Sequence, residues 1–225
     1  MHLDNKDFPE YPSLHPLSIP ANRNLDRYFK VAGSSNGLVC LYVYLGSDLH
    51  KFIIWNPSIR KSLLVPKNNL VGADQLIGFG FDSRTNDYKL FVDGFMYSLN
   101  CNSWMKITNI PVENKIDSYW LNTPFFVHGI FHWLAISEEK NIVLTFDLRD
   151  EMFGEISMPQ CLENVGNKHL KIKAFGESSM AVTHQISDRR CEYDIWVMKE
   201  YRSGEWTKLA IVERVPAWCW KQNSG

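Results

Sequence analysis

Four stretches of the chain share one pattern, a strand, a short polar turn and a second strand, and this repetition limits the possible folds more than any other feature. They span residues 52–66, 94–108, 141–159 and 192–212. The second strands open at Ser62, Trp104, Phe153 and Trp206, which lie 42, 49 and 53 residues apart. Short strands and aromatic markers at a period of about 40–50 residues are typical of β-propeller blades.

The intervening segments complete each unit, because each also reads as strand, turn and strand with Gly, Asn or Asp at the turn. Helix is predicted to be nearly absent. Wherever a segment of helical length has apolar residues at helical spacing, the alternation typical of a strand fits it as well. The sequence therefore predicts an all-β, propeller-like array of about four four-stranded antiparallel blades, at residues 28–66, 76–110, 123–159 and 170–212. Individual strands are predicted at 38–44, 52–56, 86–92, 95–99, 130–135 and 142–147.

Two tryptophans are assigned a structural role. A single blade cannot bury both faces of its sheet, so neighbouring blades must stack on it. Trp104 and Trp206, each at the start of a fourth strand, are predicted to lie largely buried between adjacent blades.

Composition excludes several classes of partner. The formal net charge is −1, so no broad field attracts nucleic acid or an anionic membrane, and no apolar run is long enough to span a bilayer. The five cysteines are odd in number and form no CxxC motif, which predicts reduced and mostly buried thiols. We expect a cytoplasmic or nuclear location.

The residues that resemble metal-binding, nucleotide-binding or catalytic motifs are better interpreted as parts of strands and turns. His128 and His132 flank a hairpin turn without an evident third metal ligand, and Gly78 and Gly80 lack the spacing of a nucleotide-binding loop. Arg84 to Asp87 form a predicted solvated turn. We predict no catalytic residues, no metal, no cofactor and no enzymatic activity.

Meander topology sorts the connections of a blade onto two ends. The turns within strand pairs 1–2 and 3–4 share one end and are short, whereas most other connections are longer and share the opposite end. Long loops on a rigid scaffold commonly carry function. Partner binding is therefore predicted on the loops at 46–51, 67–75, 111–122, 137–141, 160–169 and 186–192. The connection at Asp93-Gly94 belongs to the same end but is predicted to be a tight turn rather than a long loop.

Seven residues of these loops are candidate partner-binding residues: Asp48, His50, Asp117, Tyr119, Trp120, Arg189 and Arg190. Aromatic side chains beside charges, as at Tyr119 and Trp120, are common in interface anchors. The alternative interpretation of these two side chains, that they cap the core between blades, stays open.

Seven motifs follow one another along the chain: "GSSNGLVCL" (33–41), "IIWNPSIRK" (53–61), "GFGFDSRTNDYKL" (78–90), "MYSLNCNSWMKI" (96–107), "HGIFHWLA" (128–135), "LTFDLRDEMFGEI" (144–156) and "YDIWVMKEYRSGEWTKL" (193–209). Together, in this order, they resemble the F-box-associated interaction domain of plant F-box proteins, of the F-box/kelch-repeat and S-locus F-box kinds. The resemblance covers about residues 28–212.

The resemblance implies a substrate receptor of an SCF-type ubiquitin ligase. In that family an F-box binds the Skp adaptor, through which the cullin is reached, while the associated domain recruits the target protein. Residues 1–27 resemble a proline-rich linker rather than an F-box, and residues 213–225 form a short tail. A truncated form with an incomplete propeller, which does not bind the adaptor, is therefore expected. The alternative function is a propeller-fold enzyme or a small-ligand-binding lectin.

Overall fold

The computed structural model describes residues 29–44, 50–68, 76–108, 124–166, 169–176, 179–187, 192–198, 200–201 and 203–212. Two compact units divide the chain, Met1–Thr108 and Asn109–Gly225. The described residues form sixteen strands and one short 3-10 helix.

The first unit holds two four-stranded antiparallel sheets, here called the first and second blades. In both blades each strand pairs with the next strand in sequence, which is the meander that the hairpin pattern predicts. The first blade contains β1 (Phe29–Ser35), β2 (Leu38–Tyr44), β3 (His50–Asn56) and β4 (Lys61–Leu64). The second contains β5 (Ile77–Asp82), β6 (Asp87–Val92), β7 (Phe95–Ser98) and β8 (Ser103–Lys106).

The second unit repeats this arrangement in the third and fourth blades. The third blade contains β9 (Phe125–Val127), β10 (Ile130–Ser137), β11 (Lys140–Asp147) and β12 (Met152–Ser157). The 3-10 helix η1 (Gln160–Leu162) follows β12. The fourth blade contains β13 (Leu170–Phe175), β14 (Ser179–Ser187), β15 (Glu192–Met198) and β16 (Trp206–Val212).

The predicted all-β array of four four-stranded antiparallel blades is confirmed. The strand predicted at 38–44 coincides with β2, and the one predicted at 95–99 differs from β7 by a single residue. The other predicted strands differ from the observed ones by no more than two residues at either end.

Left-handed backbone at paired turn residues explains why the hairpins close so tightly. Asn36-Gly37, Asp93-Gly94 and His128-Gly129 each form a two-residue turn, with φ between +44° and +82° at all six positions. Positive φ at both central residues defines the type I′ turn, whose twist matches that of the flanking strands. Glycine and asparagine adopt this conformation readily.

Close contact between sheets builds the core of the first unit. One cluster of buried side chains draws on both blades, including Ile54 of β3 and Leu90 of β6. The backbone of β1 approaches β5 so closely that a Cβ on Gly33 would lie 2.8 Å from the carbonyl oxygen of Phe79. The first strands of these blades therefore pack together at a position that leaves no room for a side chain.

The second unit has an equivalent core between the third and fourth blades. Its buried cluster joins Val143 of β11 and Ile156 of β12 to Met180 and Val182 of β14 and Met198 of β15. Each two-blade unit therefore buries a shared apolar face, as the stacking of repeats requires.

The predicted packing of two tryptophans between blades is confirmed, but their predicted burial is only partly right. Trp104 and Trp206 are half-buried, and each packs against the shared core of its own unit. Each indole keeps its N–H at the rim of the interface, where it donates to a carbonyl of the preceding blade. The acceptor is Pro66 for Trp104 and Ser157 for Trp206, each at 2.8 Å.

The aromatic residues of the fourth blade do not face each other as those of the second blade do. Tyr97 lies opposite Trp104 in the second blade, but Trp196 lies opposite Lys208 in the fourth. Met198 is the residue opposite Trp206. The β15–β16 connection is longer than the corresponding connections of the other three blades, so the aromatic markers no longer face each other.

Candidate partner-binding surface

The connections of each blade lie at two ends, which are here named by position. The turn end carries the connections between strands 1–2 and 3–4 of a blade. The loop end carries the connection between strands 2–3, and the chain enters and leaves the blade there. This assignment follows from the observed strand order, and the loop end is where partner binding is predicted.

Most of the candidate partner-binding residues lie outside the described residues. His50 opens β3 opposite Tyr44, so its backbone is at the loop end of the first blade. A role for these residues in partner binding stays a prediction. The six outside the described residues are Asp48, Asp117, Tyr119, Trp120, Arg189 and Arg190.

One predicted long loop is in fact a minimal turn. Ser137 lies opposite Lys140, so Glu138 and Glu139 alone connect β10 to β11. Their φ angles are +47° and +65°, the left-handed conformation that type I′ turns require. Neither residue is a typical turn former, which is why the sequence did not indicate a two-residue turn here.

A single buried asparagine organises the connection between the third and fourth blades. Asn141, in β11, is almost fully buried. Its Nδ2 donates to the carbonyl oxygens of Leu162 at 2.8 Å and Val165 at 2.7 Å. Its backbone N–H donates to the carbonyl oxygen of Glu163 at 2.7 Å. Three carbonyls of the β12–β13 connection are therefore held by one residue.

An ion pair adds to this anchor. Lys140 Nζ lies 3.0 Å from Glu163 Oε2. Because the lysine is largely exposed, the pair contributes little stability but favours this position of the connection. Asn141 was not predicted as a structural residue, although an amide at the start of the strand sequence "NIVLTF" (141–146) is a signal for a polar residue that needs partners if it is buried.

A charged cluster lies near the loop end of the fourth blade. Asp194 Oδ1 lies 2.7 Å from Lys208 Nζ, and Asp194 Oδ2 lies 4.0 Å from His184 Nδ1. Burial lowers the pKa of His184; the Asp194 carboxylate opposes this shift, and His169 and Lys208 add to it. His184 is therefore favoured in its neutral form, and the carboxylate is paired mainly with the lysine.

His132 is a structural strand residue of β10, as predicted, whereas His128 is an exposed residue of the β9–β10 turn. His132 is fully buried, stacks on Phe125 with ring centroids 4.4 Å apart, and has its Nε2 2.6 Å from the Tyr201 hydroxyl. The ring of His128 also contacts Tyr201. Within the described ranges, no group of three or more His, Cys, Asp or Glu side chains is placed to hold a metal ion.

The predicted solvated turn at 84–87 is wrong for its last residue. Asp87 is buried, with Oδ2 2.9 Å from Lys89 Nζ and accepting from Ser98 Oγ at 2.5 Å. Its Oδ1 accepts from the backbone N–H of Asn100 at 2.8 Å. Burial raises the pKa of Tyr97 to about 12, and the Asp87 charge adds to this shift. The carboxylate joins β6 to the β7–β8 turn and serves the fold.

The prediction of mostly buried thiols is wrong for two cysteines. Cys40 is buried, and burial raises the pKa of its thiol, whereas Cys101 and Cys161 are exposed. Cys101 lies at the turn end of the second blade and Cys161 in η1. Separately, no helix in the described part of the chain is long and apolar enough to cross a membrane.

Comparison with known protein families gives a match over nearly the whole chain. The model of the F-box associated beta propeller domain matches residues 12–223. An F-box/kelch-repeat protein of Arabidopsis thaliana is 24% identical over 82% of this chain and 53% of its own length. An F-box protein of the same species is 24% identical over 86% of this chain and 56% of its own. The chain thus spans about half the length of these relatives.

Solved structures that resemble the chain share its fold at low identity. A lectin solved with alpha methyl fucoside, SapL1, gives a TM-score of 0.52 at 10% identity, covering 84% of this chain and 66% of its own. A structure from a study of two prolyl endopeptidases gives 0.52 at 11% identity, covering 84% and 27%. These similarities show the fold alone.

Proposed function

Since the chain belongs to the family of F-box-associated β-propeller domains, we propose that it is a non-catalytic module that recruits a target protein to an SCF-type ubiquitin ligase. The observation that carries this proposal is the family match over residues 12–223, together with relatives that are F-box proteins. In this proposal the domain binds the target, and the Skp adaptor is contacted by the F-box that proteins of this family carry.

The blades support the proposal as a scaffold for recognition. Each unit has a shared apolar core, so the ends of its strands are held in fixed positions. In this proposal the target binds at the loop end, with Tyr119 and Trp120 as aromatic anchors beside charged residues. Binding there would use the loops for specificity and the sheets for rigidity.

The alternative functions, a propeller enzyme or a lectin, have less support. A His–carboxylate pair serves acid–base chemistry when it addresses a substrate or a nucleophile. In the fourth blade the Asp194 carboxylate is instead paired with Lys208, and His132 is enclosed by aromatic rings. No feature of the described residues favours catalysis or sugar binding over protein recruitment.

Affinity capture tests target binding. The chain would be tagged and incubated with plant extract, beside a variant with Tyr119→Ala and Trp120→Ala. A matched control is Arg84→Ala, an exposed position at the turn end of the second blade. We expect one or a few proteins to be retained by the chain and by the control, and lost from the double variant.

A second step tests the ubiquitin-ligase role. Fusing the F-box of a relative to the chain should increase ubiquitin on the captured protein in cells, whereas the chain alone should not. Absence of any specifically retained protein would contradict the binding module. Retention without added ubiquitin in the fusion would contradict the ligase role alone.

A further inference from the structure

We propose that residues 8–20 of this chain, here called the strap, dock in an extended conformation across an exposed apolar face of the first blade. The inference concerns how the domain completes its own fold, so it does not depend on the proposed function. The strap and the first blade belong to the same compact unit, Met1–Thr108.

The first blade has two apolar faces, and the second blade covers one of them. Cys40 and Ile54 belong to the core that the first two blades share. Successive side chains along a strand alternate between the faces of a sheet, so their neighbours lie on the opposite face, here called the far face. Its apolar members are Val31, Val39, Leu41, Ile53, Trp55 and Leu64.

Four of these side chains form one continuous row across the blade. Val31 pairs with Leu41, which pairs on its other side with Ile53. Ile53 in turn pairs with Leu64. The two end members are 47% and 44% exposed, whereas the two central ones are partly buried. A contiguous apolar surface of this kind marks an interaction site.

The repeat indicates that the far face is built to be covered. Trp55 lies opposite Ser62 in the first blade. At the corresponding place in the second blade, Tyr97 lies opposite Trp104. Tyr97 is fully buried in the core shared with the first blade, whereas Trp55 is partly exposed. The far face is therefore equivalent to a face that is covered in the second blade.

The strap carries an apolar residue at every third position. Prolines at positions 9, 12, 16 and 20 favour polyproline II, an extended helix with three residues per turn. A period of three therefore predicts one apolar stripe along the strap, with mainly polar residues and prolines on its other sides. Within "FPEYPSLHPLSIP" (8–20) the stripe consists of Phe8, Tyr11, Leu14, Leu17 and Pro20.

The dimensions of the stripe and the far face agree. Neighbouring strands lie about 4.8 Å apart, so the row from β1 to β4 is roughly 14 Å wide. Polyproline II rises about 3.1 Å per residue, so Tyr11 and Leu17 would lie roughly 19 Å apart. Two turns of the strap are therefore long enough to cross the whole row. Residues 21–28 connect the strap to β1, whose third residue, Val31, belongs to the far face.

Two further observations favour the strap as the occupant of this face. The match to the family model begins at residue 12, so it includes most of the strap together with the blades. Charge is also complementary. Lys51 is exposed in β3 on the far face, and Asp7 and Glu10 lie at the start of the strap or just before it.

Photocross-linking in the full chain tests the docking directly. The photoreactive residue p-benzoylphenylalanine would replace Leu64, which is 44% exposed at the end of the row. The matched control carries it in place of Met105, which is 43% exposed in β8 of the second blade. Cross-linked peptides would be identified by mass spectrometry after irradiation. We expect position 64 to join residues 8–20 of the same chain, and position 105 not to do so.

Paired substitutions separate docking from a general effect of mutation. Leu14→Asp with Leu17→Asp places two carboxylates in the stripe, whereas Ser13→Asp with Ser18→Asp places the same charges on its other sides. We expect the leucine pair to lower the cross-linking yield from position 64 roughly tenfold, since burial of the two leucines favours docking. The serine pair should leave the yield unchanged.

A thiol on the far face gives an independent measurement. Ser62→Cys introduces a thiol opposite Trp55, and Cys101, exposed at the turn end of the second blade, is the reference in the same molecule. Opening of a covered site exposes it to reagent, so the leucine pair should speed alkylation at position 62 about five- to tenfold relative to Cys101. The serine pair should not change this ratio.

The results distinguish the strap from other occupants. A cross-link from position 64 that joins two chains assigns the far face to a second copy and overturns the proposal. A cross-link only to another segment of the same chain also overturns it. If no cross-link forms and the leucine pair leaves alkylation at position 62 unchanged, the far face is open and the strap is not docked there. None of these results changes the test of target binding by affinity capture.

Discussion

Trp104 Nε1 donates a 2.8 Å hydrogen bond to the carbonyl oxygen of Pro66, 38 residues earlier in the chain. The bond joins the fourth strand of the second blade to the chain just beyond the fourth strand of the first. In the second unit Trp206 Nε1 makes an equivalent 2.8 Å bond to Ser157 across 49 residues. In each unit, one indole therefore links the outer strands of two blades while its ring covers their shared core.

Replacing Trp104 should separate the stabilisation by its indole hydrogen bond from the stabilisation by packing of its ring on the core. Trp104→Phe removes the donor but keeps an aromatic ring, so we expect a loss of about 1 kcal/mol in the free energy of unfolding. Trp104→Ala should cost about 2–3 kcal/mol, which is less than for a fully buried tryptophan because the side chain is partly exposed. Urea denaturation would measure both. Trp206→Phe serves as the matched variant, and a loss below about 0.3 kcal/mol in both phenylalanine variants would contradict a stabilising bond.

Gly33 should tolerate no side chain. A Cβ there would lie 2.8 Å from the Phe79 carbonyl oxygen, which is backbone and cannot rotate away. We expect Gly33→Ala to destabilise the chain by about 1–3 kcal/mol, because β1 and β5 would have to move apart. Gly154→Ala is the control, since its Cβ would meet only the Thr145 hydroxyl at 3.0 Å, and thermal unfolding should show a clearly smaller loss. Equal losses would argue against close packing of β1 on β5.

Tyr201 should hold the β15–β16 connection onto the third blade. Its hydroxyl lies 2.6 Å from Nε2 of the buried His132, so Tyr201→Phe removes a bond to a buried polar atom. We expect a loss of about 1–3 kcal/mol and faster amide hydrogen exchange in residues 203–205. Unchanged exchange there would show that ring packing alone holds the connection. His128→Asn, which removes the ring contact and suits the left-handed turn conformation, should have a smaller effect.

Acid should destabilise the fourth blade through His184. Burial lowers the pKa of this histidine, with Asp194 opposing the shift and His169 and Lys208 adding to it. Its contribution to stability is therefore fully present above the unfolded pKa of about 6.5 and is lost as pH falls through the lower folded pKa. Unfolding free energies measured between neutral pH and mildly acidic pH should fall less steeply for His184→Gln. Identical pH profiles would rule out this histidine as a contributor.

The hairpins could be read from the sequence because their determinants are local. Asn36-Gly37 and Asp93-Gly94 supply positive φ where a two-residue turn needs it, and alternating apolar residues mark the flanking strands. The strand predicted at 38–44 was therefore confirmed without adjustment. The turn at Glu138-Glu139 escaped prediction because the pairing of β10 with β11, rather than residue preference, holds these residues in the left-handed region.

Contacts between distant segments could be decided only by the tertiary structure. The sequence determined the number of blades, the order of their strands and the pairing of Trp104 and Trp206 with neighbouring blades. It did not determine that the two tryptophan side chains are only partly buried, or that Met198 rather than Trp196 lies opposite Trp206. Nor did it determine that Asn141 donates hydrogen bonds to carbonyls 21 and 24 residues away. Periodicity reports which face of a strand is apolar, whereas these features depend on how far one sheet lies from the next and on which buried polar group needs a partner.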